Sequence, residues 1–300
     1  MKFWKLYIIL CLLAGCSTKL DKSEILKVGT IDCKSVPAFV KKTPINPKKV
    51  AFSTSQNRQK GVTLLEYGSS KSWKHPSYNQ FGYFGQIETA NDGRIFLAPT
   101  PIINATSEPE SGYNSIYSID PNSGELSLFI RLSEKKAYDP NNPYGILGIS
   151  FDCSSNILYA TSVYYSNKEN EAGILYAIDV QTREVLDTYK GIDAFGCYAL
   201  GYTGEKRLYF GSTRTSNVRS IELSRKGKFI GKPRNEFSLD LLGPRGDDKA
   251  KKIVFKNNKL IVTGYEFMNT LIAPTDVQET RYSFQYQASN KTWDYIQSQP

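Results

Sequence analysis

The chain has 300 residues, of which 40% are hydrophobic and 13% aromatic, including 20 tyrosines and 15 phenylalanines. This composition supports a globular core and favours strands. The 38 basic and 29 acidic residues give a net charge of +9. Nucleic-acid-binding proteins concentrate lysine and arginine on one element, whereas here they are scattered, so we expect no nucleic-acid partner but a basic surface near anionic lipid.

Residues 1–15 have the pattern of a signal peptide. Lys2 and Lys5 precede an apolar run at 6–13 that is too short to cross a bilayer as a permanent helix. The segment Leu13-Ala14-Gly15-Cys16 then resembles a bacterial lipobox. The resemblance implies that Cys16 is acylated, palmitate being one expected chain, and that a membrane is reached through this anchor. Ordinary signal cleavage with an incidental Cys16 is the alternative.

The residue after Cys16 bears on localisation. It is Ser17 rather than aspartate, which resembles the pattern of lipoproteins sorted to the outer membrane of Gram-negative bacteria. We therefore expect a cell-envelope protein, at the outer membrane if the source is Gram-negative. Residues 16–35 are predicted to be a lipid-anchored tether and residues 36–300 the folded domain.

An internal repeat decides the predicted fold. Five segments share a short strand that ends in a small residue, at 49–53, 94–98, 156–160, 207–211 and 259–263. An alternating strand follows each of them, at 62–67, 116–120, 174–179, 218–222 and 281–286. An apolar strand precedes four of them, at 85–88, 148–151, 197–200 and 252–255. Further short strands follow in the units, for example at 125–129 and 292–295.

Four antiparallel strands per unit, repeated about every fifty residues without a helical period, predict an all-β protein with the β-propeller fold. We expect five four-stranded blades, with the innermost strand of the first blade at 38–40. Six blades, the sixth built from both termini, are the main alternative, and an irregular β-sandwich fits less well. The hairpin at 116–125, Ile-Tyr-Ser-Ile-Asp-Pro-Asn-Ser-Gly-Glu, resembles units of NHL-repeat, SMP-30/gluconolactonase and quinoprotein-like propellers.

Long loops on one face of such a propeller are candidate binding sites. The loops at 99–114, 163–173 and 266–279 are longer than a turn requires. Their candidate ligand-binding residues are Tyr164, Tyr165, Phe267 and Met268. We expect them to bind an envelope protein, a glycan or a small ligand, and the alternative is loops without a partner.

Aromatic-glycine pairs recur where the inner strands are predicted to begin. They are Phe81-Gly82, Phe84-Gly85, Tyr144-Gly145 and Phe195-Gly196. Glycine lets backbones approach closely around a crowded axis, so packing is the favoured interpretation of these pairs. A channel lined for a ligand is the alternative.

Acidic residues precede three of the predicted inner strands, at Asp139, Asp193 and Asp247-Asp248. Asp139, Asp193 and Asp248 are candidate ligands of a divalent cation, or an acid and base pair of a lactonase-like or glycosidase-like hydrolase. Turn aspartates that face water are the alternative. His75 is the only histidine, which argues against a serine or cysteine hydrolase and a multi-histidine zinc site. We favour a binding protein over an enzyme.

Three cysteines remain after the leader and Cys16. Cys153 is predicted at a turn and Cys197 at the start of an inner strand, at opposite faces and too far apart for a disulfide. Cys33 is therefore the expected partner in any disulfide. Three free thiols are the favoured expectation.

Overall fold

The computed structural model describes residues 33–54, 60–100, 113–132, 142–202, 205–267 and 278–299. These ranges contain nineteen strands and three 3-10 helices longer than two residues, Ala38–Lys42, Pro47–Lys49 and Pro76–Gln80. The predicted signal peptide, Cys16 and most of the tether lie outside the described residues. Within them, no helix has the length and apolar character needed to span a bilayer.

The strands form five antiparallel sheets in chain order. The first sheet contains β1 (Val50–Ser53), β2 (Thr63–Glu66) and β3 (Ser72–Trp73). The second contains β4 (Phe84–Thr89), β5 (Ile95–Pro99), β6 (Ser115–Ile119) and β7 (Leu126–Arg131). The third contains β8 (Ile146–Asp152), β9 (Ile157–Ser162), β10 (Ile174–Asp179) and β11 (Val185–Lys190).

The last two sheets repeat this meander. The fourth contains β12 (Ala194–Tyr202), β13 (Glu205–Ser212), β14 (Asn217–Leu223) and β15 (Phe229–Ser238). The fifth contains β16 (Lys249–Lys256), β17 (Lys259–Tyr265), β18 (Thr280–Gln287) and β19 (Thr292–Gln299). The first strands of adjacent sheets contact each other, β4 with β8, β8 with β12 and β12 with β16. The protein is therefore a five-bladed β-propeller, which confirms the predicted fold.

The first blade has three strands among the described residues, and the inner strand predicted at 38–40 is wrong. That segment belongs to the 3-10 helix Ala38–Lys42, where Val40 N donates to Pro37 O and Thr43 N to Val40 O. Phe39 and Val40 are both buried. Successive residues of a strand point to opposite faces, so two adjacent buried side chains at the edge of the fold suit a helical turn better.

The core lies between the blades. On β9, Leu158 and Ala160 pack in the cluster shared with blade 2, whereas Ile157 and Tyr159 pack in the cluster shared with blade 4. Two further clusters join blades 1 and 2 and blades 4 and 5. All five sheets and four clusters lie within residues 33–299, so a protein that begins at Ser17 keeps the whole described core.

The two ends of the propeller differ. Short turns join first to second strands and third to fourth strands at one end, which we call the turn face; in blade 1, β1, β2 and β3 are equivalent to the second, third and fourth strands of the other blades, so the turn between β2 and β3 lies on this face. Residues 33–49 cross the turn face, where Ser35 N donates to Ala90 O and Phe39 N to Pro121 O. The connections between second and third strands and between successive blades lie at the other end, which we call the loop face, and several of them are longer, such as 163–173 and 239–248.

The crossing segment explains the cysteines. Cys33 forms a disulfide with Cys153, whose turn also lies on the turn face. The expectation of three free thiols is therefore wrong, and the expectation that Cys33 would be a disulfide partner is confirmed. Cys197 is free and buried between blades 3 and 4.

Candidate functional site

A cavity of about 350 Å³ opens at the loop face, at the mouth of the central axis. It lies where β4, β8 and β12 begin and where β17 ends, and Thr54, the residue after β1, also lines it, so all five blades contribute to its wall. Its volume falls at the lower end of the range for small-molecule pockets. Six aromatic side chains line it, Tyr83, Phe84, Tyr144, Phe195, Tyr265 and Phe267.

Phe267 is at the centre of the aromatic wall. Its ring centroid lies 4.6 Å from that of Phe195, 5.1 Å from Tyr144 and 6.2 Å from Tyr265, all in tilted arrangements. Phe195 and Phe267 are only 4% and 6% exposed. Mutual packing of this kind restrains the rings, so the wall is largely formed before any ligand arrives.

Two of the four aromatic-glycine pairs, Tyr144-Gly145 and Phe195-Gly196, serve both of the purposes considered for them. A Cβ at Gly145 would lie 2.1 Å from Tyr113 O, and one at Gly196 would lie 2.2 Å from Lys251 O. Each glycine is thus required for close packing around the axis. The aromatic residue before it, Tyr144 or Phe195, lines the cavity.

The polar groups of the cavity are mostly neutral. Thr54 Oγ1 donates to Gly85 O at 2.9 Å, and Gln86 Nε2 donates to Lys251 O at 3.1 Å. Lys251 is the one charged residue among the described lining residues. Its Nζ lies 2.6 Å from Glu279 Oε1 and 4.9 Å from the centroid of the Tyr265 ring. A carboxylate and a π-face therefore already partner this cation.

The hydroxyls of Tyr144 and Tyr265 stay protonated at neutral pH. Burial raises the pKa of Tyr144 to about 12. Burial also raises the pKa of Tyr265, with further contributions from Tyr144 when that phenol is ionised and from the carboxylate of Glu279. At neutral pH both phenols can donate a hydrogen bond to a ligand.

The predicted ligand-binding residues divide between two places. Phe267 lines the cavity. Tyr164 and Tyr165 instead pack edge to face at 5.1 Å in the loop after β9, where Tyr164 is 7% and Tyr165 49% exposed. Met268 lies outside the described residues. Sequence reasoning missed Tyr83, which precedes the inner strand β4, and Tyr265, which ends the second strand β17 of blade 5.

Asp193 is buried in a saturated network. Its Oδ2 accepts from Arg214 Nε at 2.7 Å, and its Oδ1 accepts from Gly173 N at 2.9 Å and from Ser166 Oγ. Arg214 also donates to three carbonyls of the loop after β9, those of Asn167, Lys168 and Asn170. The pair thereby holds that loop against blade 4.

Asp248 has an equivalent but separate network. Arg245 donates to both of its oxygens, Nε to Oδ1 at 2.7 Å and Nη2 to Oδ2 at 2.9 Å, and Tyr282 Oη donates to Oδ2 at 2.7 Å. Asp139 lies outside the described residues. In the described ranges no three histidine, cysteine or acidic side chains group as metal ligands. No carboxylate lines the described cavity, so this arrangement offers no pair of carboxylates for hydrolysis.

An ion pair between Glu88 and Lys34 lies at the turn-face end of β4. Glu88 on β4 is 12% exposed and its Oε1 lies 2.5 Å from Lys34 Nζ of the crossing segment. Burial raises the pKa of the Glu88 carboxyl, and the charges of Lys34 and Lys252 oppose that shift. The charge of Glu88 in turn contributes to the raised pKa of Cys197, which burial dominates.

No protein-family model and no curated protein matches the sequence. Among solved structures, a hydrazine synthase of Kuenenia stuttgartiensis is 13% identical with a TM-score of 0.46, over 84% of this chain and 82% of that one. A nidogen/laminin complex is 14% identical with a TM-score of 0.39, over 83% and 92%.

An exo-beta-1,3-galactanase of Phanerochaete chrysosporium is 9% identical with a TM-score of 0.45, over 82% of this chain and 60% of that one. Likeness at this level carries no inference about function. The narrower resemblance to NHL-repeat, SMP-30/gluconolactonase and quinoprotein-like propellers stays a prediction. What is established is a five-bladed β-propeller, and that rests on its own five sheets.

Proposed function

We propose that this protein is a cell-envelope lipoprotein whose propeller binds an uncharged saccharide in the aromatic cavity at the loop face. The observation that carries the proposal is the wall built from Tyr144, Phe195, Tyr265 and Phe267, which come from three different blades. Preformed apolar walls with a few convergent polar groups are typical of small-molecule sites.

The chemistry of the lining favours a neutral ligand. An anion would have to compete with Glu279 for Lys251, and a cation would meet the positive charge of Lys251. A sugar ring has apolar C–H faces that pack on aromatic rings and hydroxyls that exchange hydrogen bonds with Thr54, Gln86 and the phenols. A glycan of the envelope matches both properties.

The anchor completes the proposal. Residues 17–32, which belong to the predicted tether, separate the proposed acylation site Cys16 from Cys33. Cys33 lies on the turn face, at the opposite end of the propeller from the cavity. An anchor at Cys16 would therefore leave the cavity open to glycans away from the lipid.

The binding half is tested by calorimetric titration of residues 17–300 with glucose, N-acetylglucosamine and their β-linked dimers. We expect saturable binding that Tyr144→Ala weakens at least about tenfold, because the variant removes one ring of the wall. Tyr144→Phe, which keeps the ring, should stay within a few-fold. Tyr165→Ala is the matched control, since Tyr165 is exposed on the same face but outside the cavity. Saccharide binding that is absent, or equally weak in both alanine variants, would contradict the proposal.

The anchor is tested separately. The full chain, expressed in bacteria fed an alkyne analogue of palmitate, should incorporate the label and fractionate with membranes. Cys16→Ser should abolish labelling, while Cys11→Ser, in the leader, should not. Label that persists in Cys16→Ser would exclude acylation at this thiol without affecting the binding half.

A further inference from the structure

The two ends of the propeller carry opposite net charge. On the turn face, residues 33–49 contain five lysines and no acidic residue. Together with the described turns of that face they contain twelve basic and four acidic residues. The described connections of the loop face contain five basic and eight acidic residues. The net positive charge of the described connections is therefore concentrated at the turn face, although the basic residues themselves are scattered along the sequence.

The cations of the turn face are exposed and available. Lys41, Lys48, Arg225 and Lys226 are all exposed, and in the described part of the chain none has a carboxylate within ion-pair distance. Lys41 and Lys48 belong to the segment that crosses blades 1 and 2, whereas Arg225 and Lys226 form the turn between β14 and β15 in blade 4. The positive charge thus extends across the whole face.

Exposed apolar side chains lie among these cations. Tyr67, in the turn between β2 and β3, is 81% exposed, and Val36 is 50% exposed. The backbone of Tyr67 is fixed beside a lysine, because Tyr67 N donates to Lys49 O at 2.7 Å. Tyrosine among lysines is the combination found at the headgroup level of membrane proteins.

We propose that the turn face docks on an anionic lipid bilayer, with its lysines on the headgroups and Tyr67 in the interface. The occupant is lipid because the positive charge is spread over exposed residues of several blades, and the exposed ring of Tyr67 adds apolar contact. Each lysine near such a surface strengthens binding about fivefold. Docking does not require the saccharide site or acylation, and it directs the cavity away from the bilayer.

The test uses residues 17–300 and sedimentation with vesicles. Vesicles of phosphatidylcholine with about one-third phosphatidylglycerol should bind the protein, and phosphatidylcholine alone should not. The triple variant Lys41→Gln, Lys48→Gln, Lys226→Gln should lose about a hundredfold in affinity. The matched control, Lys168→Gln, Lys190→Gln, Lys232→Gln, removes the same charge from exposed positions outside the turn face and should bind nearly as wild type.

The orientation of the docked protein on the bilayer is measured independently by tryptophan fluorescence. In Tyr67→Trp the added tryptophan should be quenched by brominated anionic lipid, whereas in Tyr165→Trp, on the loop face, it should not. The proposal would be overturned if the two triple lysine variants lost equal affinity for anionic vesicles, or if the tryptophans at positions 67 and 165 were quenched equally. Binding to polyglutamate but not to anionic vesicles would also overturn it and assign the face to an acidic protein.

Discussion

Cys33 is bonded to Cys153 across the turn face, with their Cα atoms 6.3 Å apart although the two residues are separated by 120 positions in sequence. The bond fixes the start of the described chain to the turn between β8 and β9 in blade 3. The chain then crosses blade 2 and enters blade 1, where Phe39 and Val40 pack in the core cluster. One covalent link therefore restrains three blades.

Removing this link should destabilise the protein. We expect Cys33→Ser to lower the free energy of unfolding by about 2 to 4 kcal/mol, because the open chain gains entropy in the unfolded state. Urea unfolding of residues 17–300 measures the change. Thiol titration after denaturation should find one free thiol in the wild type, that of Cys197. Three free thiols would contradict the assigned bond.

The Arg214–Asp193 pair should be essential for stability. Arg214→Ala leaves a fully buried carboxylate without its cation and frees three loop carbonyls, so we expect a loss of about 3 kcal/mol. Arg214→Lys should recover only part of it, because lysine lacks the forked donor geometry. Arg225→Ala, at an exposed arginine, should change stability by less than about 0.5 kcal/mol. Similar melting curves for Arg214→Ala and Arg225→Ala would refute the structural role.

These networks also predict the response to divalent cations. Asp193 and Asp248 already accept hydrogen bonds from arginines, so calcium or magnesium should not raise the melting temperature through either carboxylate. Melting with increasing calcium, in the wild type and in Asp248→Asn, is the measurement. A saturable rise that disappears in the variant would restore the cation site considered from the sequence.

The blades were predictable because each depends on local patterns. Alternation within strands, small residues at strand ends and turns such as 120–125 place the predicted strands on β5, β6 and their equivalents in the other blades. The segment 38–40 was wrongly predicted because a short run of consecutive apolar residues is compatible with both a strand and a helical turn. The 3-10 helix forms through contacts with the turn of blade 2, such as Phe39 N with Pro121 O, which lies far away in sequence.

The site was harder to predict because it is assembled from residues of different blades. Phe267 could be named from its long loop, but its packing on Phe195 and Tyr144 depends on how β8, β12 and β17 converge. Asp193 and Asp248 occupy equivalent positions before inner strands, as the sequence indicates. Their arginine partners, Arg214 and Arg245, lie in loops whose conformation is determined by the tertiary structure, so these ion pairs could not be predicted from the sequence.

The last strand, β19, should contribute strongly to blade 5. Trp293 is 5% exposed and packs edge to face on Tyr209 and Phe255, so Trp293→Ala should cost about 3 to 5 kcal/mol. Its indole N–H is buried without a partner in the described ranges. Trp293→Phe removes that group and should cost far less. Tyr295→Ala, 41% exposed on the same strand, should cost about 1 kcal/mol or less. A melting temperature unchanged in Trp293→Ala would exclude this packing.

Glu88 should make stability depend on pH in a defined direction. Its pKa is raised above the ordinary 4.5 because burial of the carboxylate outweighs the attraction of Lys34. The folded protein therefore keeps the Glu88 proton to higher pH than the unfolded chain does. The contribution of Glu88 to the stability of the fold becomes more favourable as the pH falls through the folded-state pKa towards 4.5. This contribution is lost as the pH rises through the folded-state pKa.

Two substitutions isolate this effect. Glu88→Gln should be at least as stable as the wild type at neutral pH, and the difference should shrink on acidification. Lys34→Gln removes the cation whose charge lowers the pKa of Glu88. The stability that this variant gains on acidification should therefore begin to appear at a higher pH. Urea unfolding of the three proteins between about pH 8 and about pH 4 measures both. If Glu88→Gln is instead the less stable protein at neutral pH, and Lys34→Gln is destabilised as well, then the ion pair with Lys34 outweighs the cost of burying the charge.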